Sequence, residues 1–289
     1  MSSNKANFLM THPWRQFVAA IFLSLVPVTG FSASISIIID DLGHRPREGE
    51  RAARLPGPVV CAVLPHGMHS TALAELAHRQ GKEVILHQPM ESTLQDKDPG
   101  PGKILASMPD LEIAITLAYN LQSVPHVMGM NNHMGSALTT DGRAMAAVME
   151  AMRGHQGLVF IDSVTSPRSV AASVARRFTI PTLERDVFLD NTASHDAIQR
   201  QFDQLLRIAR RRGHAIGIGH PYPETMDVLE RRLSTLDKEG VTLVSLKQML
   251  TLTRATQTNT TEEQPAWLPS SSRLPKVSKN SKPSLSPTY

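Results

Sequence analysis

Aspartate, histidine and asparagine recur at one kind of place in this chain, directly after a short run of apolar residues. Ile37-Ile38-Ile39 ends in Asp40-Asp41, Val59 to Leu64 in Pro65-His66, and Val84-Ile85-Leu86 in His87. Later runs lead into Asn131-Asn132-His133, Asp162-Ser163, Arg185-Asp186 and His220-Pro221. Two adjacent carboxylates behind an isoleucine run are costly to bury unless they are paired or hold a metal. Aspartate with imidazole suits a divalent ion such as zinc, with water at an open position. Such an ion lowers the pKa of its water and polarises a carbonyl. A second carboxylate can then take a proton and a histidine opposite can give one. Asp40, Asp41 and His220 can fill those roles.

Each residue also has a plain structural reading. A lone histidine is more often a satisfied core residue, so His87 and His133 gain weight only beside the aspartate pair. Asp162 serves equally well as a loop anchor, bonded to Ser163 or a backbone amide. His12, His78, His155 and His195 fall in the leader, in helices or in turns and are background. Cys61 stands alone inside Val59-Val60-Cys61-Ala62-Val63-Leu64 and reads as a small core residue. The chain has no G-x-S-x-G elbow, P-loop or G-x-G-x-x-G fingerprint, and no H-x-H pair follows the first run.

The elements that must position these residues are an alternation of strands and helices. Strands are expected near Ile35–Asp40, Val59–Leu64, Glu83–His87, His126–Asn131, Leu158–Asp162, Thr179–Glu184, Ala215–His220 and Val241–Val244. Most are continuously apolar, as parallel strands buried on both faces are. Between them, Ser70 is placed to cap a helix that Gly81 stops. Ser194 caps a second, with Ile198, Phe202, Leu205, Leu206 and Ala209 at helical spacing before Gly213. Pro223 opens a third, whose stripe of Met226, Leu229, Leu233 and Leu236 runs to Gly240. The pattern predicts an α/β fold, a parallel barrel of seven to eight strands, complete or slightly distorted. A doubly wound open sheet is the alternative. In either, strand C-termini share one face, and that face carries the site.

The chain of 289 residues has a formal charge of +4, but the excess lies at its ends. Residues 1–34 carry Lys5 and Arg15 and no acid. Residues 251–289 carry five bases against two acids. The body, 35–250, is close to neutral, which excludes a nucleic-acid platform. Lys5 and Arg15 precede the apolar stretch Phe17 to Val28, and small residues follow at Thr29 to Ala33. Residues 1–34 therefore read as an export signal. The stretch is short of the roughly 20 residues that span a bilayer. An uncleaved N-terminal membrane anchor is the alternative, because Phe31 suits a cleavage site poorly. Either way the body is expected outside the cytosol, in the periplasm. Residues 251–289 are rich in Ser, Thr, Pro and Lys and read as a disordered tail.

Six ordered segments carry a family resemblance. They are Ile39-Asp40-Asp41-Leu42-Gly43, Leu86-His87-Gln88-Pro89-Met90-Glu91, Met130 to Ser136, Asp162-Ser163, Arg185 to Asn191, and Ile218-Gly219-His220-Pro221. Together they resemble the divergent polysaccharide deacetylases, over about residues 35–250. The resemblance implies a distorted (β/α) barrel polysaccharide deacetylase domain. It also implies a metal-dependent hydrolase that removes acetyl groups from carbohydrate, an envelope or peptidoglycan-like polymer. In better-known deacetylases one Asp of the pair is the base and the next binds metal, which carries over onto Asp40 and Asp41. Their H-x-x-x-H metal motif meets only His87, because Glu91 stands four residues on. His133 is favoured as the third ligand over Glu91, since imidazole suits zinc. The late catalytic histidine matches His220, and Asp162 joins Asp40 and His220 as a catalytic candidate. Val164 and Ser92 stand where relatives are expected to have Arg and Pro. Two other readings stay open: a different metal-dependent hydrolase on the same barrel, and a non-catalytic envelope protein that keeps the fold to bind glycan or a partner.

Overall fold

The computed structural model describes residues 33–94 and 97–262, with backbone alone for residues 255–262. Its strands are β1 (Ala33–Leu42), β2 (Val60–Val63), β3 (Glu83–Met90), β4 (Val127–Met134), β5 (Val159–Asp162), β6 (Thr182–Glu184), β7 (Val187–Phe188), β8 (His214–Gly219) and β9 (Val241–Leu243). The helices between and after them are α1 (Pro46–Ala53), α2 (Ser70–Arg79), α3 (Asp110–Ser123), α4 (Gly142–Arg153), α5 (Ala171–Arg177), α6 (His195–Arg212), α7 (Pro223–Leu233) and α8 (Leu246–Glu262).

All strand pairings are parallel, in the order β6-β5-β4-β3-β2-β1-β8-β7, with β9 beside the start of β1. The two ends of this order meet through the chain itself. The Arg185 amide donates to the Asp162 carbonyl of β5, and the next amide, Asp186, donates to the Ile216 carbonyl of β8. Within one residue the backbone leaves the β5 edge and joins β8. The result is a distorted parallel (β/α) barrel rather than an open doubly wound sheet. The single run expected at Thr179–Glu184 is shorter than that, and β7 was not anticipated, because the strand is broken where it changes partner.

Burial on both faces explains the continuous apolar runs. Ile35, Ile37 and Ile39 belong to the outer core under the helices. Ile38 faces inward with Val60, Ala62, Ile85, Ile161, Ile216 and Ile218. Each fully buried aliphatic side chain contributes roughly 1.5–3 kcal/mol. Cys61 lies in the outer core, where burial pushes its thiol up to about 12 and keeps it unreactive.

The bottom of the barrel is covered by α8. The Leu246 amide donates to Glu83 Oε2 at the start of β3, and Thr253 lines a cavity together with His214 at the start of β8. Leu246 and Met249 complete the inner core from this end. The expected boundary at Leu250 therefore falls inside a helix, and residues 251–262 are helical rather than tail-like. The remainder of the expected tail lies outside the described residues. So does the expected leader, apart from Ala33 and Ser34, which open β1.

Helix signals were legible where side chains act locally. Ser194 Oγ accepts from the Ala197 amide, Gly213 ends α6 in the left-handed region, and Pro223 occupies the first turn of α7. Ser70 behaves differently from the expected cap. Its hydroxyl is buried and donates to the Leu64 carbonyl, tying α2 to the end of β2. The third helix stops at Leu233, and Leu236 belongs to a separate 3-10 turn before Gly240.

Candidate metal centre

The C-terminal ends of β1, β3, β4 and β8 bring the candidate residues together. In a regular strand Asp40 and Asp41 would point to opposite faces. A bulge prevents this. Ile39 pairs with Cys61 and Leu42 with Val63, so Asp40 and Asp41 stand opposite the single residue Ala62. Asp41 has φ 60°, a left-handed conformation uncommon for a residue other than glycine. Gly43 (φ +137°) completes the turn, and a Cβ there would lie 2.5 Å from Ser70 Oγ. Both carboxylates consequently reach the same histidine: His87 Nε2 is 3.6 Å from Asp40 Oδ2 and 3.2 Å from Asp41 Oδ1.

Strand β4 runs to Met134, farther than expected, and so carries Asn131 and His133 on one face. His133 Nδ1 lies 2.9 Å from Asp41 Oδ1 and 3.1 Å from His87 Nε2. Asp41 Oδ1, His87 Nε2 and His133 Nδ1 thus form a triangle with sides of 3.2, 2.9 and 3.1 Å. Donor atoms about 2.0–2.2 Å from one ion are separated by roughly 3.0–3.4 Å, so the spacing fits. Asp41 Oδ1 is buried and makes no hydrogen bond, although a ring nitrogen of each histidine lies close to it. A buried carboxylate oxygen without a donor, flanked by two ring nitrogens, is a place for a cation. Among the described residues this is the one group of three or more such side chains with ligand-like spacing.

Asn131 was part of a recognised segment but had no assigned role. It is fully buried; its Nδ2 donates to Asp40 Oδ1 at 2.8 Å, and its Oδ1 lies 2.7 Å from His87 Nδ1. His87 therefore carries its proton on Nδ1 and presents Nε2 to Asp41 and His133. Asn132 points the other way, accepting from the Ser163 amide and donating to the Met134 carbonyl.

His220 stands across the mouth. Its Nε2 is 3.9 Å from Asp41 Oδ2, and its Nδ1 is 2.9 Å from Asp190 Oδ1. Asp190 also accepts from the His220 amide and from Thr225 Oγ1. The partnership was missed in the sequence because thirty residues separate the two. Its one signal was Asp190 in the Arg185 to Asn191 segment.

Charge is divided unevenly among these groups. Burial raises the pKa of Asp40, against the lowering pull of His87, His220 and Asn131. Burial also works to raise Asp41, but His133 and His87 outweigh it and hold Asp41 below the usual carboxylate range. Burial lowers His87, and Asp40, Asp41 and Asn131 overcome it, so the net direction is upward. For His220 burial again lowers, but Asp190 outweighs it with help from Asp40 and Asp41, and the pKa is pushed up to about 9. The mouth therefore pairs a carboxyl drawn toward neutrality with an imidazole that keeps its proton.

Two candidates fall elsewhere. Asp162 is buried, but its oxygens accept from the Val164 amide, Ser169 Oγ and the Ala172 amide. It anchors the loop into α5, and none of these bonds joins it to Asp40 or His220. Glu91 Oε2 accepts from the Ala106 amide at 2.7 Å, so it braces the segment after β3 while His133 joins Asp41 and His87.

The sequence model of the divergent polysaccharide deacetylases matches residues 37–250. The uncharacterized protein YibQ of Escherichia coli is 33% identical over 240 residues, covering 82% of this chain and 74% of its own length. An uncharacterized protein of Haemophilus influenzae is 34% identical over 230 residues, covering 78% of this chain and 81% of its own. The crystal structure of an uncharacterized protein from Agrobacterium tumefaciens aligns with a TM-score of 0.72 at 26% identity, over 75% of this chain and 89% of that one. This chain belongs to the divergent polysaccharide deacetylase family.

Proposed function

We propose that the protein is a metal-dependent deacetylase that hydrolyses acetyl groups from carbohydrate, an envelope polysaccharide outside the cytosol. The observation that carries this reading is the triangle of Asp41 Oδ1, His87 Nε2 and His133 Nδ1 around a carboxylate oxygen without a donor. These atoms would hold one divalent ion, for which zinc is the natural choice with two imidazoles and one carboxylate. When bound, such an ion acidifies water and polarises an acetyl carbonyl. Asp40 accepts the proton of the attacking water, a role suited to a carboxyl whose pKa is raised toward the working pH. His220 gives a proton to the departing nitrogen or oxygen, so acetate and a free amine or hydroxyl result. Asp190 holds His220 Nδ1 and leaves Nε2 facing the mouth. Residues 1–34 supply export, and a fusion of residues 1–40 to a reporter active only outside the cytosol checks it; a stable but silent fusion rejects export.

The deciding experiment measures metal content and acetate release together, on protein purified without an affinity tag. Asp41→Ala, His87→Ala and His133→Ala lose the metal and the activity, while Glu91→Ala keeps both. Asp40→Asn and His220→Ala keep the metal and lose turnover by about 10²–10⁴-fold. Retention of a full equivalent of tightly bound metal in Asp41→Ala rejects the site.

A further inference from the structure

Arg185 ends one of the strand runs, yet the metal centre leaves it without a role. It stands at the seam of the barrel. Its amide donates to the Asp162 carbonyl of β5, and the amide of the next residue donates to the Ile216 carbonyl of β8. Its side chain returns to the β5 end. Nε donates to the Ser163 carbonyl at 2.6 Å and Nη2 to the Val164 carbonyl at 2.8 Å. Val164 has φ 49°, a left-handed conformation that is an outlier for a β-branched residue. Such a conformation persists only where its surroundings hold it. Here Asp162 Oδ1 accepts from the Val164 amide at 2.8 Å, and Arg185 holds the carbonyl.

From this point contacts run to both proposed proton carriers. On one side the guanidinium carbon of Arg185 lies 3.8 Å from the centroid of the Phe188 ring. Phe188 packs against the inner core and stacks on His220, with centroids 6.3 Å apart and planes 16° apart. His220 also stacks on Tyr222 at 5.4 Å and 30°, while Asp190 holds its Nδ1. On the other side, Ser163 Oγ accepts from Asn131 Nδ2 at 3.3 Å. The same nitrogen donates to Asp40 Oδ1. The loop that Arg185 holds therefore touches the amide that sets Asp40 and His87.

The chemistry of the side chain matters here. A planar guanidinium can give two N–H groups to two carbonyls while its face lies on a ring, and a lysine ammonium cannot do both. The hydrogen-bond acceptors of Arg185 are carbonyls rather than a carboxylate, so these contacts orient the chain and do not neutralise a charge.

We propose that Arg185 is a positioning residue, whose guanidinium staples the Ser163–Val164 loop to Phe188 and through Phe188 fixes the ring of His220 in the mouth. This role rests on the hydrolase reading above, in which His220 gives the proton to the leaving group.

The test uses the full chain, with the tetrasaccharide of N-acetylglucosamine as probe. Arg185→Lys, Arg185→Gln and Phe188→Leu are compared with the parent by acetate release, by bound metal, and by the ring signals of His220 in carbon-13-histidine-labelled protein. Those signals are identified by their absence in His220→Ala. Both Arg185 variants should lower kcat by about 10–100-fold with KM unchanged, the scale of a misplacement of about 1 Å. Bound metal should stay at the parental level. The His220 signals should move in both variants, as in Phe188→Leu. Those of His78 and His126, stacked on each other at the opposite end of the barrel, should stay. In the Phe188→Leu background, Arg185→Lys should cost nothing more, because the path is already cut. Where the parent releases acetate, a parental kcat in Arg185→Lys overturns the role, since charge alone then suffices. Unmoved His220 signals, loss of metal from Arg185→Lys, or additive losses in the double variant overturn it as well. If the parent releases no acetate, His220 signals that move in Arg185→Lys keep the positioning role and reject the deacetylase, and unmoved signals reject both.

Discussion

Asn131 Oδ1 accepts a hydrogen bond from His87 Nδ1 at 2.7 Å, and this single contact decides which nitrogen of His87 faces Asp41. The other end of the same amide holds Asp40. One buried side chain therefore sets both a proposed ligand and the proposed base. Asn131→Ala should weaken metal affinity by about 10–100-fold, the usual effect of losing a contact behind a ligand. Competition against a chromophoric chelator measures it. Unchanged affinity would mean that His87 is oriented without Asn131.

The His220–Asp190 pair makes a pH prediction whose sign follows from the raised pKa. In the metal-free fold His220 stands at about 9, against an ordinary value of 6.5. Proton binding then favours the folded state. The contribution is full below about 6.5 and is lost as the pH rises through about 9, on the order of 3 kcal/mol at most. Asp190→Asn should remove most of it. In chelator-treated protein, denaturant melts should show parent and variant well separated at pH 6 and closer together above pH 9. A gap that grows with pH would contradict the assignment.

Asp162 supplies a contrast between anchoring and chemistry. Its carboxylate satisfies the Val164 and Ala172 amides and Ser169 Oγ. Asp162→Ala leaves those donors without an acceptor, at a cost of about 1–3 kcal/mol each if they stay buried. The thermal midpoint should fall by several degrees, with metal content unchanged. A variant that keeps the parental midpoint but loses turnover would return Asp162 to the catalytic group.

Helix α8 divides the C-terminal region by what it buries. Leu246 and Met249 are in the inner core, whereas Thr251 and Arg254 are exposed. Truncation after Arg254 should move the thermal midpoint by no more than about 2 °C. Truncation after Val244 removes both core side chains and should lower it by many degrees, since large-to-small losses in a core cost about 2–5 kcal/mol each. Equal midpoints for the two truncations would show that α8 does not seal the barrel.

The apolar runs, their β-branched content and the polar residues that end them were sufficient to establish a parallel α/β fold and the face on which Asp41, His87 and His133 meet. Those features are local: a strand buried on both sides must be apolar throughout, and it can change to Asp, His or Asn only where it leaves the sheet. The ordered segments from Ile39 to Pro221 were likewise enough for the family. Tertiary structure alone decided the roles within them. The bulge that turns Asp40 and Asp41 to one side depends on register against β2, which no single strand encodes. The choice of His133 over Glu91 as the neighbour of His87 follows from β3–β4 pairing and from an amide, Ala106, that claims Glu91. The attachment of Asp190 to His220, and of Asp162 to the α5 loop, joins residues whose separation along the chain says nothing about distance. The same holds for residues 251–262, which read as a tail and only in the structure continue α8, the helix whose Leu246 and Met249 join the inner core. Short-range pattern specifies which element a residue belongs to; which partner satisfies a buried charge is settled only when the elements pack.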